Sequence, residues 1–122
     1  MVDKVNLFFS DLKEREEIRE LLKQRTDVIV SSSLYNNLEI NAIGAEKGEA
    51  LLRLAAILGI SQEETMACGD GDNDTSMIRL AGTGVVMGNG EEYLKAIADY
   101  ITASNDESGV AQAIEQLVLL EI

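Results

Sequence analysis

From Gly44 onward, short apolar runs alternate with amphipathic helical patterns, and few architectures accommodate that alternation. Lys47 to Leu58 carries Leu51, Leu54, Ala55 and Leu58 at helical spacing and is closed by Gly59. Thr65 to Cys68 reads as a short buried strand, and Asp74 to Leu80 as a helix with Gly82 beyond its end. Gly84 to Met87 is a strand, followed by a helix from Glu91 to Ala98, a last strand from Tyr100 to Thr102 and a last helix from Ser108 to Leu119. Strands that are apolar throughout, each followed by a helix, predict an α/β fold: a parallel sheet with helices on both faces. Three such strands form a small sheet whose outer strands leave backbone groups open to pairing, so the expected architecture is a partial one.

The preceding segment has another character. Val5 to Phe9 reads as a strand, and Asp11 is placed to cap a helix from Leu12 to Lys23 with Ile18, Leu21 and Leu22 on its apolar face. Asp27 to Ser31 and Leu34 to Ile43 are two further strands, with Asn36-Asn37 as a bend or bulge. Strand, helix, strand, strand is an α+β piece. The expected division is therefore residues 1–43 and residues 44–122.

Composition removes several kinds of chemistry. The 122 residues carry a formal net charge of −12 and no histidine. An acidic surface repels phosphate backbones, which argues against a nucleic-acid partner. Without histidine the chain has no Ser-His-Asp triad of its own and no His-ligated zinc, and a bound metal would be a hard cation held by oxygens. No apolar run approaches the roughly 18 residues that span a bilayer, and Met1-Val2-Asp3-Lys4 does not begin a secretion leader. The single cysteine, Cys68, has no partner for an intrachain disulfide, and a cytoplasmic setting is the simplest reading.

The densest chemical signal is Gly69-Asp70-Gly71-Asp72-Asn73-Asp74, which begins where a buried strand ends and stops where a helix starts. Ligands of open α/β sheets bind at the carboxyl ends of strands. Neighbouring carboxylates repel one another unless a cation or water relieves them. A turn with Asp74 as a simple helix cap is the structural alternative. A calcium-binding EF-hand loop does not fit, because its sixth position would be Thr75 instead of Gly and its twelfth Ala81 instead of Glu. Lys47 opens the first helix of the second region, where the macrodipole mildly opposes a cation. A nearby phosphoryl group would account for it, although by itself Lys47 also reads as a solvated surface residue.

Taken together, the segments resemble the C-terminal half of Cof-type phosphatases of the haloacid dehalogenase superfamily. The resemblance rests on Leu38-Glu39-Ile40 followed by Ala45-Glu46-Lys47-Gly48, then Gly69 to Asp74, Val85-Val86-Met87-Gly88-Asn89, Ala98-Asp99-Tyr100-Ile101-Thr102 and Asn105-Asp106-Glu107-Ser108-Gly109-Val110. It implies that Lys47 neutralises an aspartyl-phosphate intermediate and the substrate phosphoryl group. It further implies that Asp70 completes a Mg2+ site, that Asn73 contacts the phosphoryl group, and that Asp74 supports metal and lysine from behind. Residues 1–43 would be the end of the cap that encloses a small phosphorylated metabolite, and residues 44–122 part of the core.

The same resemblance exposes a gap. The family's Asp-x-Asp-Gly-Thr motif, which supplies the nucleophile, does not occur in these 122 residues, and its Ser/Thr motif has no convincing match. Asp72-Asn73-Asp74-Thr75 mimics the first motif's spacing, but no strand directly precedes it. The expectation is a fragment with little turnover of its own. The alternatives are a non-catalytic piece that self-associates through its sheet edge or docks on a missing N-terminal half, or a simple divalent-cation-binding module.

Overall fold

The computed structural model describes residues 3–120; Met1, Val2, Glu121 and Ile122, the extreme ends of the two expected regions, lie outside them. The chain divides into two compact units, with the boundary between Glu46 and Lys47.

The first unit holds strand β1 (Lys4–Phe8), helix α1 (Leu12–Lys23) and strands β2 (Val28–Ser31) and β3 (Asn37–Ala42). The strands form an antiparallel sheet in the order β1-β3-β2. Leu7 pairs with Leu38, and Ile40 with both Val5 and Val30, which gathers the apolar side chains on one face. Leu38 is fully buried there. The alternate residues of β3 meet polar partners: Glu39 accepts from the Ser33 hydroxyl at 2.6 Å and pairs with the Lys4 ammonium at 2.7 Å. The start of α1 is fixed as its sequence suggests, by the Asp11 carboxylate accepting from the Lys13 N–H at 2.8 Å.

Two expectations for this unit need correction. Leu21 is 61% exposed, while Arg15 is only 8% exposed. The Arg15 guanidinium donates to the Asn37 carbonyl at 3.0 Å and to the Ser32 hydroxyl at 3.1 Å, so a charged side chain with satisfied donors takes a buried place on the helix. The last strand is also shorter than Leu34 to Ile43. The Asn37 side-chain oxygen accepts from the Ser33 and Leu34 amides at 3.1 and 2.9 Å, which bends residues 33–36 into a turn and delays the strand.

The second unit holds α2 (Lys47–Leu58), β4 (Met66–Gly69), α3 (Thr75–Leu80), β5 (Thr83–Val86), α4 (Glu92–Lys95), β6 (Tyr100–Ile101) and α5 (Gly109–Ile114). Strands β4, β5 and β6 pair in that order, all parallel, so this unit is the expected α/β sheet with flanking helices. Helix α3 lies against β4 and β5, and α2 lies against α3. The core is built from Ile78, Val86 and Leu94, with Ile97 and Ala98 packed on it. Gly59 ends α2 in a left-handed conformation (φ 71°) that an L side chain would resist.

Three departures appear here. Leu54 and Leu58 are 55% and 62% exposed: of the expected stripe only Ala55 is buried, together with Gly48, while α2 lies against α3. The helix expected from Glu91 to Ala98 is the single turn of α4. The last helix starts at Gly109 because Ser108 is left-handed (φ 61°), and it widens into a π-helical turn over Glu115–Leu119. No helix among the described residues is long and apolar enough to cross a membrane.

Candidate active site

The carboxyl end of β4 runs directly into the acidic loop. Asp72–Asp74 form one tight 3-10 turn, and α3 follows without a break. Asp74 stands at the cap position of α3, but its side chain does not cap the helix. The carboxylate turns back over the strand end, where one oxygen accepts from the backbone amides of Asp70 at 3.0 Å and Gly71 at 3.2 Å. Its other oxygen accepts from the Lys47 ammonium at 2.5 Å. A Cβ on Gly69 would stand 2.5 Å from the Asp74 Cβ, so only glycine at the strand end leaves room for this fold-back.

Lys47 reaches the loop because α2 approaches α3 closely. The Gly48 N–H donates to the Ser76 hydroxyl at 2.9 Å, and a Cβ on Gly48 would stand 2.5 Å from the Ser76 carbonyl oxygen. The residue after the lysine is therefore a glycine for a reason of packing. Gly69 and Gly48 stand in the two motifs already named, whereas Ser76 carried no sequence signal. What each glycine does depends on its opposite neighbour, the Asp74 side chain for Gly69 and the Ser76 backbone for Gly48.

Asp74 is buried, whereas Lys47 is half exposed. Burial alone would push the Asp74 carboxyl up. The Lys47 ammonium and the Asp70 and Gly71 amides outweigh it, and the group is held below the usual carboxylate range. Asp74 thus remains an anion inside the unit and presents Lys47 toward the loop.

Of the four sequence-predicted residues, Lys47 and Asp74 are in direct contact, and Asp70 is joined to Asp74 through its backbone amide. Asn73 lies in the same turn, its side-chain oxygen 3.5 Å from where a Gly71 Cβ would stand. Asp70 is exposed at the loop's tip.

Among the described residues no three His, Cys, Asp or Glu side chains converge as a closed metal cage. Asp74 has both oxygens engaged by protein donors, whereas the exposed Asp70 carboxylate is open to direct approach by a cation. This suits Mg2+, which keeps several waters and commonly uses one or two carboxylates together with substrate phosphate. The residues fit such an ion as a partial set of ligands.

The haloacid dehalogenase-like hydrolase family matches residues 1–114, nearly the whole chain. The chain belongs to this family. It is 44% identical over 105 residues to the 5-amino-6-(5-phospho-D-ribitylamino)uracil phosphatase YcsE of Bacillus subtilis, a match covering 86% of this chain and 42% of that protein. It is 45% identical over 113 residues to the phosphatase YwpJ of the same organism, covering 92% of this chain and 40% of that one. The structure of a haloacid dehalogenase-like hydrolase from B. subtilis superposes with a TM-score of 0.91 at 40% identity, over 95% of this chain and 41% of that one. A subclass IIB sugar phosphatase superposes with a TM-score of 0.84 at 34% identity, over 95% and 43% respectively. The chain thus spans about two-fifths of the length of the curated relatives it matches.

Proposed function

We propose that this chain supplies the lysine and acidic-loop part of a magnesium-dependent, Cof-type phosphomonoester hydrolase acting on a small phosphorylated metabolite in the cytoplasm. The observation that carries the reading is the chain of contacts from the Lys47 ammonium through the Asp74 carboxylate to the Asp70 amide, at the carboxyl end of a parallel strand. In this reading residues 1–43 are the end of a cap and residues 44–122 belong to the catalytic core.

Phosphoryl transfer spreads negative charge over the equatorial oxygens, and catalysis is largely positioning with electrostatic stabilisation. Lys47 provides a fixed cation for those oxygens, and Asp74 holds it in place. Asn73 donates from the same turn, and Asp70 with its neighbours would hold Mg2+. When bound, the metal neutralises phosphoryl charge and orients the ester. The nucleophile is a carboxylate forming an aspartyl-phosphate, and it comes from a motif outside these 122 residues. Ribityl, sugar and other metabolite phosphates all suit such a site, and the names of the relatives favour that class.

A second reading is favoured by the outer edge of β4 and the exposed Leu54, Ile57 and Leu58: docking on a segment that carries the remaining motifs. A net charge of −12 works against self-association through the same surface.

Two measurements test the main reading. Titrating the 122-residue chain with Mg2+ is expected to shift the NMR signals of Asp70, Gly71 and Asn73 in the millimolar range, and Asp70→Asn should abolish the shifts. With p-nitrophenyl phosphate and Mg2+, the chain alone should not exceed the buffer rate. A wild-type chain that ignores Mg2+ would remove the metal role. Turnover at ordinary enzymatic rates would remove the claim of a shared site.

A further inference from the structure

The loop after β5 has no part in the chemistry above, yet it is bonded to the acidic loop along its length. The Glu91 N–H donates to the Asp70 carbonyl at 3.0 Å. The Tyr93 hydroxyl donates to the Asp72 carboxylate at 3.2 Å. Just before them, Gly90 packs so closely that a Cβ would stand 3.2 Å from the Asp70 Cα and 2.9 Å from the Met87 carbonyl oxygen. The loop is held in turn by its neighbour: the Gly88 N–H donates to the Ala103 carbonyl at 3.1 Å, and the Asn89 side chain accepts from the Asn105 N–H at 2.9 Å. Gly88-Asn89 and Asn105, which entered the sequence analysis only as marks of resemblance, thereby acquire a physical task.

We propose that Gly88 to Tyr93 is a positioning clamp, in which Gly90 and Tyr93 fix the acidic loop from its outer side and set the direction in which Asp70 and Asn73 face the phosphoryl site. The function of the clamp rests on the phosphatase reading, whereas its existence rests on the contacts alone. A loop carrying Asp70, Asp72 and Asp74 tends to spread by like-charge repulsion. Lys47 restrains it on one side through Asp74. Tyr93 restrains it on the other through Asp72, and the Glu91 amide holds the Asp70 backbone between them. The Tyr93 hydroxyl, on a half-exposed side chain, is a phenol that stays protonated and a donor at neutral pH. Catalysis by positioning is sensitive to displacements of an ångström or less, which is the scale on which such a clamp acts.

The test compares wild type, Tyr93→Phe and Gly90→Ala in the full chain, by amide hydrogen exchange and by Mg2+ titration. Tyr93→Phe removes only the hydroxyl. It should speed exchange at Asp70, Gly71 and Asp74 about fivefold and weaken Mg2+ binding by a similar factor, while Val85 and Val86 keep their protection. Gly90→Ala should produce the same pattern more strongly; if it does not fold, Tyr93→Phe alone decides. Unchanged exchange at the three loop amides overturns the clamp. Exchange that rises equally across β4 and β5 assigns Tyr93 a merely structural role and also overturns it, as does unaltered Mg2+ affinity in a wild type and Tyr93→Phe that both bind the ion. Loop-specific loosening in a chain that never responds to Mg2+ leaves the clamp standing and removes the metal role proposed for Asp70.

Discussion

Asp74 accepts from one ammonium and two backbone amides, and its ionisation is therefore tied to the stability of the second unit. Its carboxyl is held below the usual range in the folded chain. A group with a depressed folded pKa contributes its full stabilisation above its unfolded pKa and loses it as pH falls through the folded one. Stability measured by urea unfolding should therefore decline below about pH 4 as this group protonates. Asp74→Asn should lose about 2 kcal/mol at pH 7 and show a flatter acid limb, because the missing charge has nothing left to titrate. The loss stays well short of that for a fully enclosed ion pair, since Lys47 is half exposed and solvent screens it. The residue types of this site were legible in the sequence: an acidic loop at a strand end, and a lysine opposed to its own helix dipole. Their mutual geometry was not, because Lys47 and Asp74 are 27 positions apart and no local pattern encodes that distance.

At the scale of elements, α2 approaches α3 closely. A methyl on Gly48 would meet the Ser76 backbone, which cannot swing aside as a side chain can. Gly48→Ala should cost about 2 kcal/mol and displace Lys47 from Asp74, measurable as a rise in the Asp74 pKa by NMR. Two leucines make a matched contrast. Leu94→Ala removes a fully buried side chain and should cost about 2–5 kcal/mol. Leu58→Gln, on the exposed stripe of α2, should change stability by no more than about 0.5 kcal/mol. Thermal or urea unfolding of both variants checks the assignment of faces. Helical spacing marked Leu54 and Leu58 as a stripe correctly, but a stripe does not name what covers it. The same limit applies to Leu21 and Arg15 in α1, where the available hydrogen-bond acceptors, not the apolar period, decided which side chain went inside.

The whole molecule carries −12 charges, and their mutual repulsion lowers the stability of the compact state. Sodium chloride should raise the melting temperature by screening alone. Magnesium at equal ionic strength should raise it further if the acidic loop binds the ion, through an added stability of about 1.4 kcal/mol at ten times Kd, and Asp70→Asn should remove only that excess. Equal effects of the two salts in wild type would leave no specific site.

Element order and the cap at Asp11 depend on residues within a few positions of one another, and the parallel second sheet follows from apolar strands each separated by a helix. The fold-back of Asp74, its pairing with Lys47 and the burial of Arg15 required the three-dimensional arrangement. The fold-back uses amides only three and four positions away but needs the room that Gly69 leaves. The Lys47 pairing and the place of Arg15 depend on residues 27 and 22 positions distant, which only packing among separate elements brings together.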